Sequence, residues 1–288
     1  MKYADRVGSN VLAVIVSFNG GREILECISA ILPQVGRVLI VDNGSLPNSL
    51  NLLEDLQREG TIQLISCGSN LGLAAALNIG VKEGLTSGFE WILTLDQDSS
   101  PSSDMLKVML SYSSANDNTL VLSPNFVSRD GKRKTDKSGE VKYVITSGNL
   151  IHKSVFALVG LFNADYFIDC LDFDFSLRTR KNGFKLHKVG NATMTHEVGA
   201  NTVPPNIIRG LYTQHEPSRR YYMFRNFILL AKSHFGFDPK FILKLGFLYG
   251  LFLLLLMVYD RRRFLNLRLI FKGVKDGVIG RSGPLSLF

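Results

Sequence analysis

Two carboxylates one residue apart, Asp96-Gln97-Asp98, close an apolar run that begins at Trp91. At a strand end, such a pair can share one hard divalent cation with a diphosphate. Asp98-Ser99-Ser100-Pro101 is also good turn chemistry, so the triplet alone has a structural reading too. A second acidic cluster, Asp169-Cys170-Leu171-Asp172-Phe173-Asp174, precedes Arg178. On a helix beginning near Asp172, Asp174 and Arg178 stand i, i+4 and pair, which leaves Asp172 at the N-terminal end to face a cleft. An acidic first turn that complements the helix dipole is the plainer alternative. Of five histidines, His196 is the best placed for a third metal ligand or a diphosphate contact, against a satisfied structural histidine. Arg219-Arg220-Tyr221-Tyr222 and Arg225-Asn226 put guanidinium groups and phenols on about two helical turns. Arginine forks match phosphate oxygens, so this stretch is a candidate diphosphate clamp, with a solvated helix face as the alternative.

The elements that must position these groups are legible as apolar runs. Val11 to Ser17, Val38 to Val41, Ile62 to Ile65 and Trp91 to Leu95 predict buried strands. Between them, Arg22 to Leu32, Leu46 to Glu59 and Leu71 to Leu85 have helical length and spacing. This alternation predicts an α/β fold with a largely parallel sheet covered on both faces. Ligands of such sheets sit at the carboxyl ends of the strands, and the polar residues fall there. The first strand runs into Ser17-Phe18-Asn19-Gly20, the second into Asp42-Asn43-Gly44-Ser45, the third towards Asn70 and the fourth into the acidic triplet. Asp42 is suited to accept a hydrogen bond from a base or ribose, although V-D-N-G-S is also a turn sequence. Asn70 marks a helix start where small side chains allow close approach of a ligand, and capping would explain it equally. Arg129 to Lys142 read as a surface loop or hairpin, and Pro204-Pro205 as a turn or linker ending the catalytic body.

Charge divides the chain of 288 residues. Residues 1–200 carry 19 Lys+Arg against 21 Asp+Glu, whereas residues 201–288 carry 14 against 4, giving −2 and +10. A near-neutral body with a basic tail suggests that the tail meets lipid head groups, phosphates or nucleic acid. Cys27, Cys67 and Cys170 form no C-x-x-C pair, which argues against a disulfide framework or a zinc site and fits a reducing cytosol. No secretory signal is legible at the N-terminus. Leu245 to Tyr259 hold no charge and are followed by Arg261-Arg262-Arg263. As a helix this segment is about 22 Å long, short of the ~30 Å hydrocarbon core; extension back to Phe241 approaches spanning length. A helix lying in or dipping into the inner leaflet, with arginines on anionic head groups, is favoured over a buried core helix or a true span.

In order, V-S-F-N at 16–19, V-D-N-G-S at 41–45, N-L-G-L-A-A-A-L-N-I-G at 70–80, L-D-Q-D at 95–98, T-S-G-N-L at 146–150, F-I-D-C-L-D at 167–172, His196 and R-R-Y-Y-M-F-R-N at 219–226 resemble glycosyltransferase family 2 with the GT-A fold, and within it the rhamnosyltransferase-like members. The resemblance covers roughly residues 11–230. With the linker and tail composition, this gives a GT-A catalytic domain over residues 1–205, an Arg/Tyr-rich helix over 206–235 that completes the site, and, from the apolar and basic residues themselves, a membrane-associating extension over 236–288. The resemblance bears on the site residues. It implies that Ser17, Asn19, Asp42, Asn70, Gln97, Ser147 and Gly148 hold the nucleotide sugar. Asp96, Asp98 and His196 then organise a divalent metal, Mg2+ or Mn2+, with the diphosphate. Arg178, Arg219, Arg220, Tyr222 and Arg225 serve diphosphate or acceptor, and Asp172 is the general base. Leu171 stands where many relatives carry Glu, so the base assignment rests on Asp172, with Asp169 as its rival.

The expected reaction is an inverting single displacement from dTDP-L-rhamnose, with UDP-hexoses as competing donors, onto a lipid-linked glycan at the cytoplasmic face of the cell membrane. A sugar-phosphate nucleotidyltransferase would want a Gly-rich phosphate loop with a Lys after the first strand, for which Ser17 to Arg22 is a poor substitute. A nucleic-acid binder would leave the rim carboxylates unexplained, so no nucleic acid is expected as partner. The sequence leaves an oligomer open.

Overall fold

A computed structural model describes residues 8–116, 119–127, 137–196, 216–260 and 262–285, with the side chain of His196 outside that set. The apolar runs form the strands that their composition demands. β1 (Gly8–Ser17) is buried from Val11 onward and lies between β2 (Val35–Asp42) and β4 (Trp91–Asp96). β3 (Gln63–Ser66) pairs with β2, and all these pairings are parallel, with Ser17 beside Asp42 and Val16 beside Asp96. The connecting helices are α1 (Glu23–Ile31), α2 (Pro47–Arg58) and α3 (Leu73–Thr86). α1 buries Ile24, Cys27, Ile28 and Ile31, the i, i+3, i+4, i+7 stripe of a helix packed on a sheet.

Past β4 the sheet is not parallel as expected. β5 (Ser99–Pro101), α4 (Met105–Ala115), β6 (Val121–Val127), β7 (Gly139–Val141), β8 (Asn149–His152), α5 (Lys153–Val159), α6 (Leu171–Lys181) and β9 (Leu186–His196) follow. The order is β3-β2-β1-β4-β8-β6-β9-β5, with β7 on β9. β8 is antiparallel to both β4 and β6, and β9 runs parallel to β6 but antiparallel to β5 and β7. A parallel neighbour needs a crossover, usually helical, and among the described residues no helix lies between β6 and β8. An apolar strand buried on both faces reads the same in either direction, so periodicity does not carry this distinction. Of the expected loop at 129–142, Arg129 to Asp136 lie outside the described residues, and β7 is a short strand within the rest. Pro204, Pro205 and Arg261 also lie outside them.

The chain divides into two compact units: Met1–Asn163 with Phe175–Glu197, and Ala164–Asp174 with Val198–Phe288. The division cuts α6 between Asp174 and Phe175. The first unit holds the sheet. The second holds a 3₁₀ turn (Ala164–Tyr166) and α7 (Pro217–His234), α8 (Pro239–Tyr259) and α9 (Arg263–Ile279). α7 and α9 approach so closely that a Cβ on Gly273 would stand 2.4 Å from the Tyr221 carbonyl oxygen, and one on Gly277 2.8 Å from that of Arg225. Tyr221 donates to the buried Asp276 carboxylate at 2.9 Å across the same contact. α8 packs Phe252 and Leu256 against Phe224 of α7. At 21 residues it is long and apolar enough to cross a membrane, and 22% of its most apolar stretch is buried, unlike a core helix. Leu243, Phe247, Leu254 and Val258 form an exposed stripe along it.

Candidate active site

At the rim of the parallel strands, side-chain amides tie the loops together. Gln97 Oε1 accepts from the Phe18 amide at 2.9 Å, and its Nε2 donates to the Phe18 carbonyl at 3.4 Å. Asn19, in the left-handed region at φ 52°, accepts from the Leu46 amide at 2.8 Å, while its own amide donates to Ser45 Oγ at 2.8 Å. The Asp42 carboxylate is fully buried and accepts from the amides of Gly44 and Ser45 and from the Ser66 hydroxyl. It therefore shapes the V-D-N-G-S turn. Asn43, which the sequence reading passed over, accepts from the Leu71 amide at 2.8 Å and donates to Asn70 Oδ1 at 3.1 Å. Its place inside the V-D-N-G-S motif was the available signal. Asn70 Oδ1 also accepts from the Gly72 amide, and Gly72 is the cap residue of α3, so Asn70 orders the turn ahead of the helix.

The acidic triplet rests on the segment Thr146 to Asn149. Ser147 Oγ accepts from the Asp96 amide at 3.0 Å and lies 2.6 Å from Ser99 Oγ, a hydroxyl that the sequence placed only in a turn. Gly148, at φ 82°, donates to the Thr94 carbonyl at 2.7 Å; a Cβ there would meet Pro124 at 2.5 Å, so only glycine fits. Ser147 and Gly148 thus brace the carboxylates from behind. Asp96 and Asp98 are half-buried. The buried Cys27 thiol is pushed up to about 12, by burial first and then by the charges of Asp96 and Asp98, so both carboxylates bear on one region.

Among the described residues no three His, Cys, Asp or Glu side chains gather as a metal cluster. Two hard carboxylates do fit Mg2+ or Mn2+, which bind through one or two protein carboxylates and take remaining ligands from substrate phosphates and water. His196 sits opposite Ser99 in the β5–β9 ladder, one residue beyond Asp98. Its expected ligand role concerns a side chain outside the described set.

The second unit carries the other acidic cluster on an unusual backbone. Phe167, Asp169 and Cys170 adopt φ of 62°, 63° and 63°. Non-glycine residues held in that region cost roughly 1–3 kcal/mol each and persist only where surroundings over-determine them. α7 supplies those surroundings. Arg219 pairs with the Asp169 carboxylate, at 2.8 Å from Nη2. Asn226 Nδ2 faces the carbonyls of Tyr166, Ile168 and Asp169 at 2.7, 2.6 and 3.0 Å. Arg225 Nη2 donates to the carbonyls of Asp165 and Tyr166, both at 3.0 Å, and Tyr222 stacks on Phe167 with an interplanar angle of 11°.

These contacts give much of the arginine stretch partners within the protein. Arg220 and Arg225 are buried, Arg220 lies over the Phe252 ring, and Tyr222 Oη accepts from the Leu285 amide. A left-handed turn leaves carbonyls that no sheet or helix satisfies, and guanidinium and amide groups answer them as well as they answer phosphate. Asp174 and Arg178 also have partners beyond the spacing on their own helix. Asp174 Oδ1 lies 2.8 Å from His234 Nε2 in a buried pair, and Arg178 donates to the carbonyls of Val159 and Leu161. Asp172 stands in the first turn of α6, half-buried, and accepts from the Phe173 amide at 2.9 Å. Asp169, its rival, is engaged by Arg219.

A parallel half-sheet closing on a carboxylate pair, followed by a mixed half, is the architecture of a GT-A glycosyltransferase. The family model "Glycosyl transferase family 2" matches residues 12–168, more than half of the chain, and the protein belongs to that family. It is 32% identical over 250 residues to the dTDP-rhamnosyl transferase RfbF of Shigella flexneri, covering 79% of this chain and 82% of the relative. Among solved structures, GalNAc-T7 with UDP, GalNAc and Mn2+ matches with a TM-score of 0.59 at 15% identity, over 77% of this chain and 47% of that one. This chain thus spans about half of GalNAc-T7. S. aureus TarS 1-349 in complex with UDP matches at 0.54 and 12% identity, over 96% and 94%. At these identities the structures speak for the fold.

Proposed function

We propose that this glycosyltransferase moves L-rhamnose from dTDP-L-rhamnose to a hydroxyl of a lipid-linked glycan, with inversion, in cell-envelope polysaccharide assembly such as O-antigen or capsule. The observation that carries the donor is the 32% identity to a dTDP-rhamnosyl transferase along most of both chains. Ser17, Asn19 and the turn shaped by Asp42 form the nucleoside end. Ser17 Oγ, buried with no hydrogen-bond partner among the described residues, is the kind of polar atom that a bound nucleoside satisfies. Asp96 and Asp98, with His196, would hold Mg2+ or Mn2+, which when bound neutralises charge on the departing nucleoside diphosphate. Asp172 accepts the proton of the acceptor hydroxyl, while Asp174 anchors its helix turn on His234.

The acceptor and location rest on the C-terminal unit. The exposed apolar stripe of α8, with Arg262, Arg263 and Arg268 close by in sequence, suits the cytoplasmic surface of an anionic membrane. The test is donor turnover by the full chain with anionic vesicles, Mn2+ and a lipid-linked acceptor. Product should form from dTDP-L-rhamnose and release dTDP. Turnover of UDP-hexoses but not of dTDP-L-rhamnose would replace the donor, and release of pyrophosphate would overturn the reaction class.

A further inference from the structure

The contacts of the motif R-R-Y-Y-M-F-R-N described above give it a task within its own unit. Arg225 Nε donates to Asn226 Oδ1 at 2.9 Å, which fixes the amide so that Nδ2 points at the Tyr166–Asp169 carbonyls. That nitrogen has two hydrogens for three carbonyls, so the turn is held by shared bonds and has one geometry that suits them all. The C-terminal segment closes the same turn from another direction. The Gly283 amide donates to the Asp165 carbonyl at 3.1 Å, Arg225 Nη1 donates to the Gly283 carbonyl, and the Leu285 amide donates to Tyr222 Oη at 2.7 Å. Every strained residue of the turn lies within five positions of Asp172.

We infer that Arg225 and Asn226, strapped by the tail residues Gly283 to Leu285, are positioning residues that set where Asp172 stands. This inference rests on Asp172 being the base. Burial alone would not require such a set: an apolar residue at 226 would fill the space without meeting three carbonyls. The tail, beyond the end of α9 at Gly280, therefore belongs to the catalytic machinery as well as to the C-terminal unit.

The test compares Asn226→Ala, a chain ended after Ser282, and Asp172→Asn, all otherwise full length. Transfer kcat, donor KM, the acid limb of the kcat–pH profile and the thermal transition are measured for each. A displacement of about 1 Å in a reacting group costs on the order of 10²-fold, so kcat should fall by about that factor in both positioning variants. Donor KM should stay within about twofold, and the acid limb should move as Asp172 gains a new environment. If Asn226→Ala does not fold, the shortened chain decides, because the described residues it removes, Gly283 to Leu285, belong to no helix. A shortened chain with wild-type kcat and pH profile overturns the inference, as does a loss that appears equally in KM. Full activity of Asp172→Asn would instead overturn the assignment of the base, and so separates the two failures.

Discussion

Alanine at Gly273 tests how closely α9 must lie on α7. A Cβ there would sit 2.4 Å from the Tyr221 carbonyl oxygen, whereas ordinary contact begins at 3.4 Å, so α9 must withdraw by about 1 Å or accept the overlap. Withdrawal stretches the 2.9 Å bond from Tyr221 to Asp276 towards 3.9 Å, which is no longer a hydrogen bond. Loss of a bond to a buried carboxylate costs about 1.5–3 kcal/mol, and the overlap, if kept, about 1–3 kcal/mol. Against this, alanine gains about 1 kcal/mol of helix propensity over glycine. Gly250, on the exposed face of α8 with nothing within 4 Å of its Cβ position, offers the same chemical change without the contact. Propensity cancels between the two variants, so Gly273→Ala should be less stable than Gly250→Ala by about 1–3 kcal/mol. Gly250→Ala should itself exceed the wild type by about 1 kcal/mol. Urea unfolding in mild detergent, followed by circular dichroism, measures both. A difference under about 0.5 kcal/mol, within the range of ordinary surface substitutions, would refute the close contact.

Three further expectations follow from the site and its surroundings. Asp98→Asn, with the fold intact, should lower transfer by on the order of 10²–10³-fold, as removal of a transition-state charge partner does; activity unchanged, and still chelator-sensitive, would place the metal elsewhere. Gln97→Ala loses its good bond to the Phe18 amide, worth about 1 kcal/mol, so donor KM should rise roughly fivefold while kcat holds; an unchanged KM would mean that the Phe18–Asn19 loop needs no such stitch. Burial lowers the pKa of His152 and of His187, and His152 Nδ1 accepts from the Ser154 amide, which its protonated form cannot do. The unfolded state therefore binds more protons, and stability should fall as pH drops below about 6.5, through the lowered folded values. His152→Asn, which can still cap α5, together with His187→Asn should flatten the melting temperature between pH 7.5 and 5.5, and an unaltered slope would remove both histidines from that account.

What the sequence by itself determined is the parallel half of the molecule. β1, β2, β3 and β4 lie where their apolar runs predict, and Ser17, Asp42, Asn70 and Asp96 fall at the rim because a buried strand must stop where polar residues begin. Even there, side-chain direction was not legible: Asp42 and Gln97 turn to backbone amides, since a carboxylate or amide at a turn satisfies the nearest donors first. The antiparallel half needed coordinates, because doubly buried strands carry no mark of direction. Tertiary structure also decided the internal partners of Arg225 and Asn226. Guanidinium and carboxamide groups recognise phosphate and carbonyl oxygen alike, and the carbonyls that claim Arg225 and Asn226 are presented only when residues 165–170 fold into their left-handed turn. Residue types state what a side chain can bond to; the turn, formed sixty residues earlier in the chain, states what it does bond to.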